Sequence, residues 1–320
     1  MKGRSGITLI EALVAIFVTA IGALSLLVLF PLGALNISRA LRDNRCAQAA
    51  TNAAALADAG VWSGGTIYHY RIDPNVTANL SVGKPAYIDA LAVNVMGVAA
   101  GLGGLGGTAP GTAIARVAPS TVTTNSDSYK RFRLQDDLTY NANGQADTSG
   151  GPYINRAGQY TWAYLARLPG SLYPTVADLS IVVYVNRSVA QPKGESFYTP
   201  AAPASGTVWP IGSTSITITY PGTNYAGVPP LRRGSWIVDA SATDTSSGGQ
   251  NDPPDIGKIH SFFYRVTDIF DTGSSLVLDL QTPLVAAING PTVTAPSVPG
   301  VIVVLENVAN VYERRTGWQP

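Results

Sequence analysis

Gly6-Ile7-Thr8-Leu9-Ile10-Glu11 opens into a stretch, residues 12–38, that holds no charged side chain. Before it stand Lys2 and Arg4 in a short polar leader, residues 1–6. The uncharged run from 12 to 35 is 24 residues long. As a helix it measures roughly 36 Å, enough to cross a hydrocarbon core of about 30 Å with some tilt. Gly22 and Pro31 lie inside it, and both are tolerated in membrane helices. Pro31 is expected to bend the helix or loosen its last turns.

Glu11 is the odd residue in this setting. An ionisable group in such a segment costs about 2.5–3.5 kcal/mol even on the lenient insertion scale. A chain that keeps one there is expected to supply a partner for it. Secretory signal peptides have apolar cores of about 7–15 residues and a small-residue cleavage site behind them; this run is longer, and Gly33-Ala34-Leu35 matches such a site poorly. A plain single-span anchor fits the length and leaves Glu11 unexplained.

A polar leader, the glycine, the glutamate and the apolar run in this order resemble the processing site of the type IV pilin family, which includes the pseudopilins of type II secretion. The segments Ala12-Leu13-Val14-Ala15-Ile16-Phe17 and Ile21-Gly22-Ala23-Leu24-Ser25-Leu26 are similar to those of V-type minor pilins and I-type pseudopilins. The resemblance covers residues 1–60. It implies cleavage between Gly6 and Ile7 by a prepilin peptidase, N-methylation of Ile7 by the same enzyme, and an assembly role for Glu11, which becomes the fifth mature residue. Ile7 stands where phenylalanine is commoner, and Pro31 lies a few residues beyond the usual proline. The family pattern places the leader in the cytoplasm and the large domain outside an inner membrane, with other pilins and a membrane assembly platform as partners. Charge alone does not orient the span: Lys2 and Arg4 precede it, while Arg39, Arg42 and Arg45 follow it against one Asp43.

The chain has 320 residues, a net charge of +1 and 13% charged residues. No strong field exists to draw nucleic acid, and none is expected as a partner. With 33 Gly and 22 Pro, the part beyond the helix reads as β-rich with long loops. The single Cys46 excludes an intrachain disulfide, where many major pilins have one. Residues 47–59 are alanine-rich and continue the helix, since alanine has the highest helix propensity; Gly60 is a candidate stop. The expected organisation is a leader (1–6), a transmembrane and filament-core helix (7–35), a helix extension packing on the head (36–59), and a β-rich extracytoplasmic domain (60–320) with a loop-rich part at 60–157. The fold class is α+β.

Strands are expected at 159–167, 178–186, 213–220, 235–239, 258–269, 275–281 and 301–305, with a hairpin turn at Asp271-Thr272-Gly273. The stretches 187–212 and 240–257 read as loops, and 129–138 as a short helix or an exposed strand whose charges coat a solvated face. The aromatic residues of the β region, Phe262 among them, read as core and sheet faces.

No catalytic motif appears. Gly101, Gly103 and Gly106 satisfy G-x-G-x-x-G, but loop-forming residues follow where a nucleotide site needs a helix. His69 and His260 have no zinc spacing. Asp244, Asn251, Asp252 and Asp255 offer oxygen ligands for calcium on one loop, without the EF-hand spacing; a solvated acidic loop is the better reading. The expectation is a structural subunit without enzymatic activity or cofactor, large enough to be a minor rather than a major component. The large tip pseudopilin of type II secretion usually lacks the glutamate, so Glu11 speaks against that assignment. The rival is a membrane-anchored extracytoplasmic domain that binds or catalyses.

Overall fold

The structure is a computed structural model and describes residues 8–58, 85–89, 114–117, 132–134, 143, 160–167, 176–187, 194–204, 206–220, 228–241, 259–291 and 299–317. The chain divides into two compact units, Met1–Ala47 and Gln48–Pro320. Helix α1, Leu9–Leu56, spans 48 residues without a break, so its last turns belong to the second unit. It runs on past Pro31; the missing N–H there is absorbed within the helix. Residues 57–58 end it in a wider π turn, and the candidate stop Gly60 lies outside the described residues.

The second unit is built on two sheets. In chain order the strands are β1 (Ala86–Ile88), β2 (Ala115–Val117), β3 (Tyr160–Arg167), β4 (Val176–Val185), β5 (Glu195–Tyr198), β6 (Val208–Trp209), β7 (Ser215–Thr219), β8 (Trp236–Asp239), β9 (Phe262–Asp271), β10 (Ser275–Leu280), β11 (Ile288–Asn289), β12 (Ile302–Leu305) and β13 (Val308–Gly317). The first sheet has the order β13-β4-β3-β1-β2 and the second β5-β12-β8-β9-β10-β7, with β11 and β6 forming a small ribbon. All pairs are antiparallel except β1 with β2.

Alternation explains the layers. In the first sheet Tyr164, Ile181 and Tyr312 are in register, as are Ala163, Val182 and Val311. Neighbours along a strand point to opposite faces. The face carrying Ala163, Leu165, Val182 and Tyr184 packs with Phe197, Val238, Phe263, Val303 and Leu305 of the second sheet in one buried cluster. The other face carries Tyr164, whose hydroxyl donates to the Ala53 carbonyl of α1 at 2.8 Å. Phe132 meets the Tyr164 ring edge-on, with centroids 6.2 Å apart. Ala49, Ala53 and Ala57 are fully buried, and Ala50 and Ala54 nearly so. Small side chains at these helical intervals let the backbone come close to its neighbours. The far face of the second sheet buries Tyr198, Ile237, Tyr264, Ile302 and Val304 in a second cluster with Leu276, Leu278 and Ile288.

Several expectations need correction. The stretch 187–212 is not all loop: β5 and β6 lie in it, and β5 is the edge of the second sheet. The long strand β13 was not anticipated, nor were β1, β2 and β11. Residues 132–134 do not form a solvated face. Phe132, Arg133 and Leu134 are buried, and Leu134 N–H donates to the Tyr160 carbonyl at 3.2 Å beside β3. Most of 60–157, the glycine-rich stretch around 101–107 included, lies outside the described residues. The hairpin at Asp271 is present: the Asp271 carboxylate accepts from Gly273 N–H at 2.7 Å, and Gly273 takes a φ of 89° that suits glycine.

Candidate functional site

The described chain starts where the sequence analysis concentrated its site. Thr8 and Glu11 cap their own helix reciprocally: Glu11 N–H donates to Thr8 Oγ1 and Thr8 N–H donates to Glu11 Oε2, both at 3.4 Å. This is a capping box, in which side chains satisfy amides that the first helical turn leaves without partners. The carboxylate also sits at the positive end of the helix dipole. The pattern Thr8-Leu9-Ile10-Glu11 carries that signal in plain sight, and Thr8 is a functional residue that the sequence reading passed over. Gly6, Ile7, Lys2 and Arg4 lie outside the described residues.

Beyond this cap, from residue 12 to residue 35, the helix surface is apolar on every side. Ile16, Phe17 and Val18 stand at successive 100° steps, and all are well exposed, as are Leu9, Ile10, Leu24, Leu27 and Phe30. A helix apolar all round is not the one-striped helix of a soluble domain. Two of its hydroxyl groups bond back to the helix's own backbone: Thr19 Oγ1 donates to the Ala15 carbonyl at 2.7 Å and Ser25 Oγ to the Ile21 carbonyl at 2.9 Å. That removes polar groups that a lipid or helix-packed environment would penalise. Among the described residues α1 is the one helix long and apolar enough to cross a membrane.

A second polar cluster, buried in the head except for the part-buried Arg187, has no counterpart in the sequence reading. Arg116 of β2 contacts Asp89 at 2.7 Å and also bonds to Glu195 of β5. Arg187, just after β4, donates to both Asp89 oxygens, at 3.0 and 2.6 Å, and to Glu195 at 3.1 Å. Arg187 lies over the Tyr184 ring, 4.1 Å from its centroid, and Arg116 lies 5.6 Å from that of Tyr87. The Tyr87 and Tyr184 hydroxyls bond to each other. Burial alone would pull the Arg116 and Arg187 guanidinium groups down, but the facing carboxylates outweigh it and both are raised. Burial drives the Tyr87 and Tyr184 phenols up, and both stay neutral. Two cations and two anions close on themselves between the sheets, which suits a structural tie more than a reacting centre. No local motif could reveal residues so far apart in the chain.

His260 is buried just before β9, and its Nδ1 lies 2.9 Å from Asp239 Oδ2. Asp239 also accepts from Ser241 N–H at 3.0 Å. His69 and the calcium candidates Asp244, Asn251, Asp252 and Asp255 lie outside the described residues. Among the described residues no group of acidic, histidine or cysteine side chains is placed to hold a metal ion. Tyr160, Trp162, Tyr164, Tyr184, Phe263 and Tyr264 are buried in core and sheet faces and Phe262 is half-buried, while Phe270 of β9 is exposed.

Residues 1–27 match the family described as the prokaryotic N-terminal methylation motif. Neither the curated proteins nor the solved structures compared with the chain gave a match. The motif is the type IV prepilin-like signal, and over these residues it supports a type IV pilin-like, prepilin-processed protein. Such a signal implies processing by prepilin peptidase and assembly with other pilins. Signal and apolar helix together point to membrane anchoring.

Proposed function

From a chain with a prepilin-like signal at residues 1–27, we propose a structural subunit, a minor pilin or pseudopilin, of a type IV pilus or a type II secretion-like filament. Prepilin peptidase cuts between Gly6 and Ile7 and methylates the new terminus at Ile7, with Lys2 and Arg4 holding the leader on the cytoplasmic side. The subunit waits in the inner membrane with its β-rich head outside. An assembly platform then passes its helix into the filament core, beside other pilins.

The observation that carries this reading is Glu11 in the first turn of α1, at the head of its uncharged run. In the isolated chain its carboxylate is held by the capping box with Thr8. In a filament the amine of Ile7 from a neighbouring subunit offers a stronger, charge-assisted partner in a medium of low dielectric. The exchange makes Glu11 a register device, favouring helices packed at one axial offset. The chain needs no cofactor and catalyses nothing in this role. Mass spectrometry of the membrane-extracted protein tests the processing step: N-methyl-Ile7 is expected at the terminus, and an intact Met1 overturns the proposal. Glu11→Ala is expected to be processed normally and to enter filaments poorly.

A further inference from the structure

Strand β9 is paired along only part of its length on the β10 side, and the reason is a proline. In an antiparallel ladder, successive residues turn their N–H and C=O groups to alternate sides. His260 N–H donates to the Ser241 carbonyl at 2.8 Å, on the β8 side. Residues 262 and 264 do the same, so Ser261, Phe263 and Arg265 turn theirs away from β8, toward the side of β10. Arg265 is met there: its carbonyl accepts from Gln281 N–H at 2.8 Å. In the same register, with Leu280 opposite Val266, the residue opposite Phe263 is Pro283. Proline has no N–H to donate. The chain leaves the sheet at this point, and Leu284 N–H donates to the Ser213 carbonyl at 2.8 Å instead. Ser261 and Phe263 thus keep an open backbone edge, with no hydrogen bond across it among the described residues. Both residues are buried, and buried backbone groups call for a partner. The Ser261 hydroxyl, on a residue only 6% exposed, has no partner among the described residues either.

A cleft of about 460 Å³ lies against this edge, within the range of ligand sites, about 300–1,000 Å³. Its far wall belongs to the first sheet. Leu165, Ser180 and Glu313 are in register there and share the face turned to the second sheet. Arg314, the next residue, takes the opposite face and pairs with Asp58 at 3.5 Å. Arg167 is engaged by Asp178 at 2.7 Å and by the Phe262 ring, 4.6 Å from its centroid. Glu313 is exposed and borders the cleft with no cation paired to it among the described residues. We propose that the cleft receives an extended segment of a partner protein, which pairs with β9 where Pro283 ends the ladder and sets a lysine or arginine against Glu313. Strand addition of this kind takes affinity from main-chain bonds and selectivity from side chains. About three or four residues suffice, since Ser261 and Phe263 are one strand repeat apart. The inference stands apart from the filament reading, because binding is measured on the purified chain whether or not it assembles.

The test dialyses the full chain in micelles against pools of acetylated, amidated tetrapeptides and reads retention by mass spectrometry. One pool carries lysine at the second position and mixed residues, cysteine and proline excepted, at the others. A second pool carries glutamate in place of the lysine. A third repeats the lysine pool with N-methylated backbone amides. The lysine pool is expected to be retained at least about tenfold better than either of the others. It is also expected to slow hydrogen–deuterium exchange at the Ser261 and Phe263 amides. Glu313→Lys, at an exposed position, is expected to turn the preference toward the glutamate pool. Equal retention of the three pools, a lysine preference that survives Glu313→Lys, or no added protection at residues 261–263 overturns the proposal. So does retention of none of them, the outcome if a segment of the same chain already fills the cleft.

Discussion

Replacing Arg116 by methionine probes the buried tie between the two sheets. The guanidinium is 1% exposed and engages Asp89 at 2.7 Å and Glu195 as well. Methionine fills much of the same volume but removes one of two cations, leaving Arg187 to face two carboxylates. Breaking a buried pair by deleting one partner costs about 3–5 kcal/mol. The lost contact with the Tyr87 ring adds up to about 1 kcal/mol. Against a total stability of about 5–15 kcal/mol, that is a large share. With a urea slope near 3 kcal/mol/M, the midpoint should fall by roughly 1–2 M. Tryptophan fluorescence of the full chain in micelles during urea titration measures it. The deficit should also depend on pH. The uncompensated carboxylate has its folded pKa raised above the ordinary value near 4. The folded state then binds more protons than the unfolded one, so the variant loses stability as pH rises through that window. Its deficit should therefore be smaller at pH 5 than at pH 8. Adding Glu195→Gln to Arg116→Met rebalances the charge and should recover more than half of the loss. A loss below about 1 kcal/mol that is the same at both pH values, with no recovery in the double variant, would refute the account.

Other outcomes follow from the same geometry. A Cβ on Gly300 would stand 2.5 Å from the Asn289 carbonyl oxygen and 2.6 Å from Ile288 Cγ2, so Gly300→Ala should cost about 1–3 kcal/mol in thermal unfolding. Gly273→Ala meets no atom and suffers only its φ of 89°; it should cost about 1 kcal/mol. Tyr164→Phe removes the hydroxyl bonded to the Ala53 carbonyl and should cost about 1 kcal/mol, with faster amide exchange at residues 50–56. The phenols of Tyr87, Tyr184 and Tyr264 are all raised by burial, while an unfolded tyrosine ionises near pH 10. The stability linked to them is complete below pH 10 and is lost as pH rises beyond it. Alkaline titration should show tyrosinate absorbance rising in step with unfolding. Thr8→Val removes half of the capping box and should destabilise the helix start by about 1 kcal/mol, read as faster exchange at residues 9–11.

What the sequence made legible was local. The run from Leu9 needed only hydropathy and length, and β3 and β4 needed only their β-branched and aromatic alternation. Strand β13 escaped because Glu313, Arg314 and Arg315 interrupt its apolar alternation. They are the kind of side chains that an edge strand carries against unwanted pairing. β5 hid in a stretch of turn formers, with Gly194 just before it. The tie between Asp89, Arg116, Arg187 and Glu195 joins positions far apart in the chain. No spacing rule reaches across such distances. The capping box was legible and lay beneath the processing signal that drew the reading to Glu11.

The turn at Glu306 and Asn307, with Asn307 at a φ of 61°, carries the chain from β12 in one sheet to β13 in the other. β13 then pairs with β4 from Val308 opposite Tyr184 to Gly317 opposite Val176. The first sheet therefore stays open along β4 until residue 317 has been synthesised. Contacts this distant in sequence form late and slowly. The order of synthesis thus makes closure of the first sheet the last step, and shortening β13 is expected to leave β4 as an open edge.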